Sequence, residues 1–228
     1  YSWTDADKKK GWLSGRGLVG EQNWTQLIET GYELGTFYMP EYAGLSDDGV
    51  PLFWTEAGGV TRVLDQAERR VVGTALPAFE MGWSNYFTFF ENFDASFTFR
   101  AVYGNYVLNV TRMVFENPTM LPTLNTLTSV QDAIDMGWTA APVVNSYYLE
   151  DGSFIRLDNL SLGYNVGLPL NDWVQKLRVY FTANNLLTIT GYTGIDPESS
   201  YDGKEFGLDM YNVYPKTRSY SFGVQVTF

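Results

Sequence analysis

Cysteine and histidine are both absent from the 228 residues. Their absence excludes Cys/His zinc sites, Ser-His-Asp and Cys-His catalysis, and any disulfide framework. No apolar run of about 18 residues occurs, so no membrane-spanning helix is predicted, and no stretch of the sequence reads as a signal peptide. The opening "YSWTDADKKK" lacks Met and starts on an alternating Tyr1, Trp3 pattern, from which we expect the natural start to lie upstream. Basic residues are few: 15 Lys and Arg stand against 26 Asp and Glu, a net charge of −11. That balance argues against a nucleic-acid partner, which needs a basic face. A glycosidase needs two convergent carboxylates. No acid here stands in a recognisable catalytic context, so neither an enzyme nor a cofactor is expected.

What the chain does have is β-like. Aromatics make up 17% and there are 22 glycines, a mixture that suits pleated surfaces punctuated by turns. Acid is concentrated in residues 41–56, 113–152 and 191–212, which together carry more negative charge than the whole chain and leave the remainder slightly basic. Between these windows lie alternating stretches. In "NFDASFTFRAVYG", Phe93, Ala95, Phe97, Phe99, Ala101 and Tyr103 share one face, opposite Asp94, Ser96, Thr98 and Arg100. In "KLRVYFTA", Leu177, Val179, Phe181 and Ala183 oppose Arg178, Tyr180 and Thr182. Period two over about 8–12 residues predicts strands. In "SFIRLDNLSLGYNVG" the apolar parity slips at Asp158-Asn159: either a β-bulge resets it, or the strand begins at Asn159.

Short and long connections alternate. Glu91-Asn92 reads as a tight hairpin and residues 167–175 as a modest turn, whereas the segments around 40–80, 113–152 and 191–217 are long and rich in turn chemistry. This is the rhythm of an up-and-down transmembrane β-barrel with one short rim and one elaborated rim. The last strand, "SYSFGVQVTF", has ten residues, against the roughly 9–11 that cross a bilayer with tilt. A soluble β-sandwich also alternates, with strands of about 5–6 residues. On alternation alone the two remain open.

Longer motifs carry a resemblance. "YYLEDGSFIRLDNLSLGYNV", "KLRVYFTANNLLTITGYTGIDPE" and "YPKTRSYSFGVQVTF" are similar to the C-terminal part of SusC/RagA-family TonB-dependent outer-membrane transporters. "GYELGTFYMPEYAGLSDDGVPLFW" and "VVGTALPAFEMGWSNYFTFFENFDASFTFRAVYGNYVLN" match the same family in the same order. The resemblance spans about Glu29 to Phe228. It implies an all-β fold, with residues 1–228 forming the C-terminal strands of an antiparallel barrel of about 22 strands. The plug and the TonB-engaging segment would precede Tyr1. It further implies the outer membrane of a Gram-negative bacterium, a SusD-like lipoprotein partner, coupling to the TonB complex, and import of oligosaccharides or peptides. The alternative is a secreted β-sandwich that binds carbohydrate through aromatics.

The resemblance makes Tyr220, Phe222, Val224, Val226 and Phe228 the signal read by the outer-membrane assembly machinery; physically, such an edge strand pairs by augmentation. With Phe228 at the periplasmic end, strand 219–228 runs inward, 176–190 outward, 153–166 inward, 93–112 outward and 81–91 inward. The three acidic windows then fall outside the cell. Trp138, Tyr147, Tyr192, Asp196, Tyr201 and Asp202 become candidate contacts to ligand or partner in those loops, although such aromatics more often pack their own loop. Calcium held by Asp196, Glu198, Asp202, Glu205 and Asp209 is the minor reading, because no D-x-D-x-D-G pattern is present. Arg100, Arg156 and Arg178 fall on the polar, lumenal face, where they should pair with wall or plug carboxylates.

Overall fold

A computed structural model of the chain describes residues 25–167, 173–198, 206–210 and 214–228. In chain order the strands are β1 (Gln26–Leu27), β2 (Thr36–Pro40), β3 (Tyr42–Leu45), β4 (Pro51–Trp54), β5 (Val60–Thr61), β6 (Arg69–Thr74) and β7 (Phe79–Phe89). They continue with β8 (Phe93–Tyr103), β9 (Tyr106–Asn109), β10 (Leu149–Asp151), β11 (Phe154–Asn165), β12 (Lys176–Thr190), β13 (Leu208–Asp209) and β14 (Ser219–Thr227). No helix among the described residues is long and apolar enough to cross a membrane, which says nothing of a barrel.

Two compact units emerge. One is a five-stranded antiparallel sheet in the order β14-β12-β11-β8-β7, built from residues 78–103, 153–191 and 215–228. Its strands are 9 to 15 residues long, well beyond the ordinary 5–6, and each connects to the next in an up-and-down path. The parity slip proves to be a bulge: register shifts between Leu157 and Asn159 against both neighbours. The extra residue, Asp158, lets Ile155 and Leu157 share a face with Leu160 and Leu162. Residues 90–92 close the β7–β8 hairpin, in which Phe89 pairs with Phe93, and Phe90 (φ 51°) and Glu91 (φ 61°) both take the left-handed conformation that normally selects Asn or Gly.

The other unit gathers residues up to Pro77 with 104–152 and 192–214. Three small sheets, β1-β2-β6, β3-β4-β5 and β10-β9-β13, surround a core that includes Phe37, Met39, Leu108, Met113, Trp138, Tyr148 and Leu208. The strand expected over 93–112 is corrected here. It stops at Tyr103, because Gly104 takes φ +84°. After β9 the chain turns into a helix, Val110–Phe115, whose N-terminus is capped by Asn109 through Oδ1 and the Arg112 N–H at 2.8 Å. Adjacent Val107 and Leu108 are both buried, which breaks the two-residue alternation and marks the change of environment.

Candidate functional site

Register across the five-stranded sheet sorts its side chains into two chemically distinct faces. Trp83 pairs with Phe99, Leu162 with Ala95 and Phe181, and Phe181 with Phe222. That face is aromatic and aliphatic, and it is open: Trp83 is 55% exposed, Ile189 59% and Phe222 82%. Its rings still organise one another, with Phe97 5.1 Å from Trp83 and 5.4 Å from Phe99, and Phe93 4.5 Å from Tyr164. A soluble β-sandwich buries its apolar faces against a second sheet; an exposed apolar face on long strands is instead what a hydrocarbon environment selects.

The opposite face is polar and extensively hydrogen-bonded. Arg178 donates to Asp94 at 2.6 Å, and Arg100 to Asp158 at 2.8 Å, so the sheet itself supplies carboxylates for two of its three arginines named above. The Nε of Arg156 donates to Thr188 Oγ1 at 3.0 Å. Between these charged positions runs a neutral row: Ser84 and Thr98 share a 3.0 Å hydrogen bond, Asn159 donates to Asn184 at 2.9 Å, and Asn184 donates to Ser219 at 3.0 Å. Two glycines make room for larger partners. A Cβ at Gly163 would run into the Arg178 guanidinium and the Asp94 carboxylate, and one at Gly223 would run into the Tyr180 ring. Each glycine sits directly opposite the residue it accommodates, Gly163 against Asp94 and Gly223 against Tyr180.

In the other unit the polar groups converge on Arg112 and Glu150. Arg112 makes a two-pronged contact with Glu116, Nε to Oε2 at 2.8 Å and Nη2 to Oε1 at 3.1 Å, and lies 4.9 Å above the Tyr147 ring. Its Nη2 also donates to the Tyr147 hydroxyl at 3.0 Å. Burial works against the Arg112 cation, but hydrogen bonding and the charge of Glu116 more than offset it, so its pKa is raised. The Tyr192 hydroxyl donates to Asp209 Oδ2 at 2.6 Å, and Thr111 Oγ1 donates to Asp209 Oδ1 at 3.0 Å. Burial raises the pKa of both Tyr192 and Asp209, and the negative charges of Glu150 and Asp196 add to the rise in each.

The candidate contact residues that the structure describes, Trp138, Tyr147, Tyr192 and Asp196, fall into this unit. Trp138 is 3% exposed, stacks on Tyr42 with ring centroids 5.9 Å apart, and donates its indole N–H to Ala140 O at 3.0 Å. Tyr192 and Asp196 are buried, and Tyr147 is half-buried. Asp196 Oδ1 accepts the Glu198 N–H at 3.0 Å, closing its own turn. Trp138, Tyr147 and Tyr192 thus hold the unit together. Tyr201 and Asp202 lie outside the described residues, as does Glu205 of the calcium reading. Among the described residues no group of three acids, cysteines or histidines is placed to hold a metal ion. Tyr220, Phe222, Val224 and Val226 stand exposed on the apolar face of β14, and Phe228 follows at its end. The Glu150 and Arg112 network was not anticipated. Its only sequence signal is the i, i+4 spacing of Arg112 and Glu116.

No family profile matches the chain. Among curated proteins it is 30% identical, over 91% of its length, to TonB-dependent receptor P3 of Formosa agariphila, covering 23% of that protein. It is 27% identical, over 92% of its length, to TonB-dependent receptor SusC of Bacteroides thetaiotaomicron, covering 21% of that protein. Among solved structures it matches the RagAB peptide importer in the "open-open" state with TM-score 0.72 and 27% identity, over 95% of this chain and 25% of that one. The "closed-closed" state of the same importer gives TM-score 0.69 at 27% identity over 90% of this chain and 26% of that one. The chain therefore spans no more than about a quarter of the length of these relatives.

Proposed function

We propose, from its likeness to the SusC/RagA-type TonB-dependent receptors, that this chain forms the C-terminal part of the wall of an outer-membrane barrel of about 22 strands. The observation that carries this reading is the five-stranded sheet with one face of exposed aromatics and the other of ion pairs and hydroxyl rows. The first face suits hydrocarbon and the second a water-filled or plug-filled lumen. All connections between its strands other than the two short turns leave from one end, that of Tyr103, Phe154 and Thr190. In this reading that end is extracellular, and the long segments that leave from it are extracellular loops. Tyr147 and the stretch containing Tyr201 and Asp202 are the proposed contacts to a SusD-like lipoprotein or to cargo. The terminal residues Tyr220 to Phe228 are proposed as the assembly signal, an edge strand open to augmentation.

The complete receptor would import oligosaccharides or peptides, driven through TonB; the wall contributes passage and shape, and no bond chemistry. The test is uptake of labelled oligosaccharide and peptide mixtures by cells with and without the full-length receptor, each with and without a protonophore. Receptor-dependent uptake of one class, abolished by the protonophore, is expected. Uptake that is unchanged on removing the receptor, or indifferent to the protonophore, would refute the reading.

A further inference from the structure

Glu150 is where two distant stretches of chain meet. Its Oε1 accepts Asn109 Nδ2 at 3.1 Å and Arg112 Nη1 at 3.2 Å, both from the turn that opens the helix Val110–Phe115. On the other side it receives the Thr193 N–H at 2.8 Å, while the Thr193 hydroxyl lies 2.8 and 2.7 Å from the two carboxylate oxygens. Asn109 Nδ2 itself reaches Thr193 Oγ1 at 3.4 Å. Segments 104–152 and 192–198 are thus tied through one carboxylate. The segment before Pro77 is tied in as well. Tyr42 N–H donates to Ser146 Oγ at 2.9 Å, Thr139 Oγ1 donates to Asp48 O at 2.7 Å, and Gln26 Nε2 donates to Phe206 O at 2.7 Å.

We infer that Glu150 is a latch: it fastens the two later segments into one body, so that neither opens without the other. The physical basis is a shared acceptor: Asn109 is buried and the Glu150 carboxylate nearly so, whereas Thr193 is exposed and covers the carboxylate from the solvent side. When Thr193 leaves, water reaches the carboxylate and competes for its bonds to Asn109 and Arg112; when the carboxylate leaves, Asn109 loses a buried partner and Thr193 loses its own bonds. A molecule that displaces either segment therefore acts on both. The inference rests on contacts within this unit and holds whatever solute the receptor carries.

Hydrogen exchange on the full-length receptor in detergent tests it. Thr193→Val removes the hydroxyl and should raise exchange in residues 192–198 about tenfold or more, with a matching rise in 106–116 and 149–151. Thr193→Ser should leave all three stretches at the wild-type level. Arg112 and Thr193 are linked through Glu150, so Arg112→Met combined with Thr193→Val should raise exchange by less than the product of the single effects. A rise confined to 192–198, or a double variant equal to that product, would overturn the latch.

Discussion

Phe97 and Thr98 are neighbours near the centre of β8, and pleating sends them to opposite faces. Phe97 belongs to the aromatic face, 5.1 Å from Trp83 and 5.9 Å from Phe87. Thr98 shares its 3.0 Å hydrogen bond with Ser84 on the polar face. If the aromatic face meets hydrocarbon, Phe97→Arg places a cation near the bilayer midplane, at a cost of about 2–4 kcal/mol. Phe97→Ala separates that cost from the loss of ring contacts, so the Arg variant should be less stable than the Ala variant by about this amount. At about 1.4 kcal/mol per decade, the difference is about a thirty- to seven-hundred-fold fall in the folded-to-unfolded ratio. Thr98→Arg should lose about 1 kcal/mol, the worth of one neutral hydrogen bond, since its charge enters a polar face that already carries arginines. The assay is denaturant unfolding of the full-length receptor in phospholipid vesicles, with the folded fraction followed by gel mobility. Equal stability of Phe97→Arg and Phe97→Ala, or a Thr98→Arg variant weaker than Phe97→Arg, would refute the facial assignment.

Two further expectations concern pH and the hairpin. Burial raises the pKa of Tyr148 and Tyr192, with the Asp209 carboxylate adding to the rise at Tyr192. An unfolded tyrosine ionises near pH 10, so these two contribute stability that is complete below about pH 10 and is lost as pH climbs through their folded values. Tyrosinate absorbance should show a late-ionising class that Tyr192→Phe diminishes; a single ionisation step for all tyrosines would contradict this. At the β7–β8 turn, the pair Phe90→Asn and Glu91→Gly relieves two side chains held at positive φ, and should stabilise the receptor by about 1–2 kcal/mol in the same vesicle assay. An unchanged or lowered midpoint would mean that the exposed Phe90 side chain contributes more than its backbone costs.

The sheet was readable because its signal is local and repetitive. Alternation in β8, β12 and β14 predicts their faces directly, and the slip at Asp158 could be resolved once both neighbours shifted register there. Arg100 and Arg178 could be placed on the polar face by parity, although their carboxylate partners sit on other strands and leave no mark at fixed spacing. The second unit was illegible for the converse reason. Its core draws Phe37, Trp138, Tyr148 and Leu208 from three separated segments, and none of these segments carries enough periodic pattern to announce a fold. The same cause turned Trp138 and Tyr192 from candidate contacts into packing residues. An aromatic in an acidic, glycine-rich stretch looks like a surface residue until the segment that covers it is known.

The glycines of the polar face bear on the bore of the passage that such a wall would line. With Gly163 and Gly223 lying under them, the Arg178–Asp94 pair and the Tyr180 ring can recline against the backbone. Over this patch of the sheet, how far the lining stands from the backbone then depends on two residues that present no side chain at all. Enlarging either would lift its occupant inward and narrow the channel, while every group lining the passage kept its chemical identity.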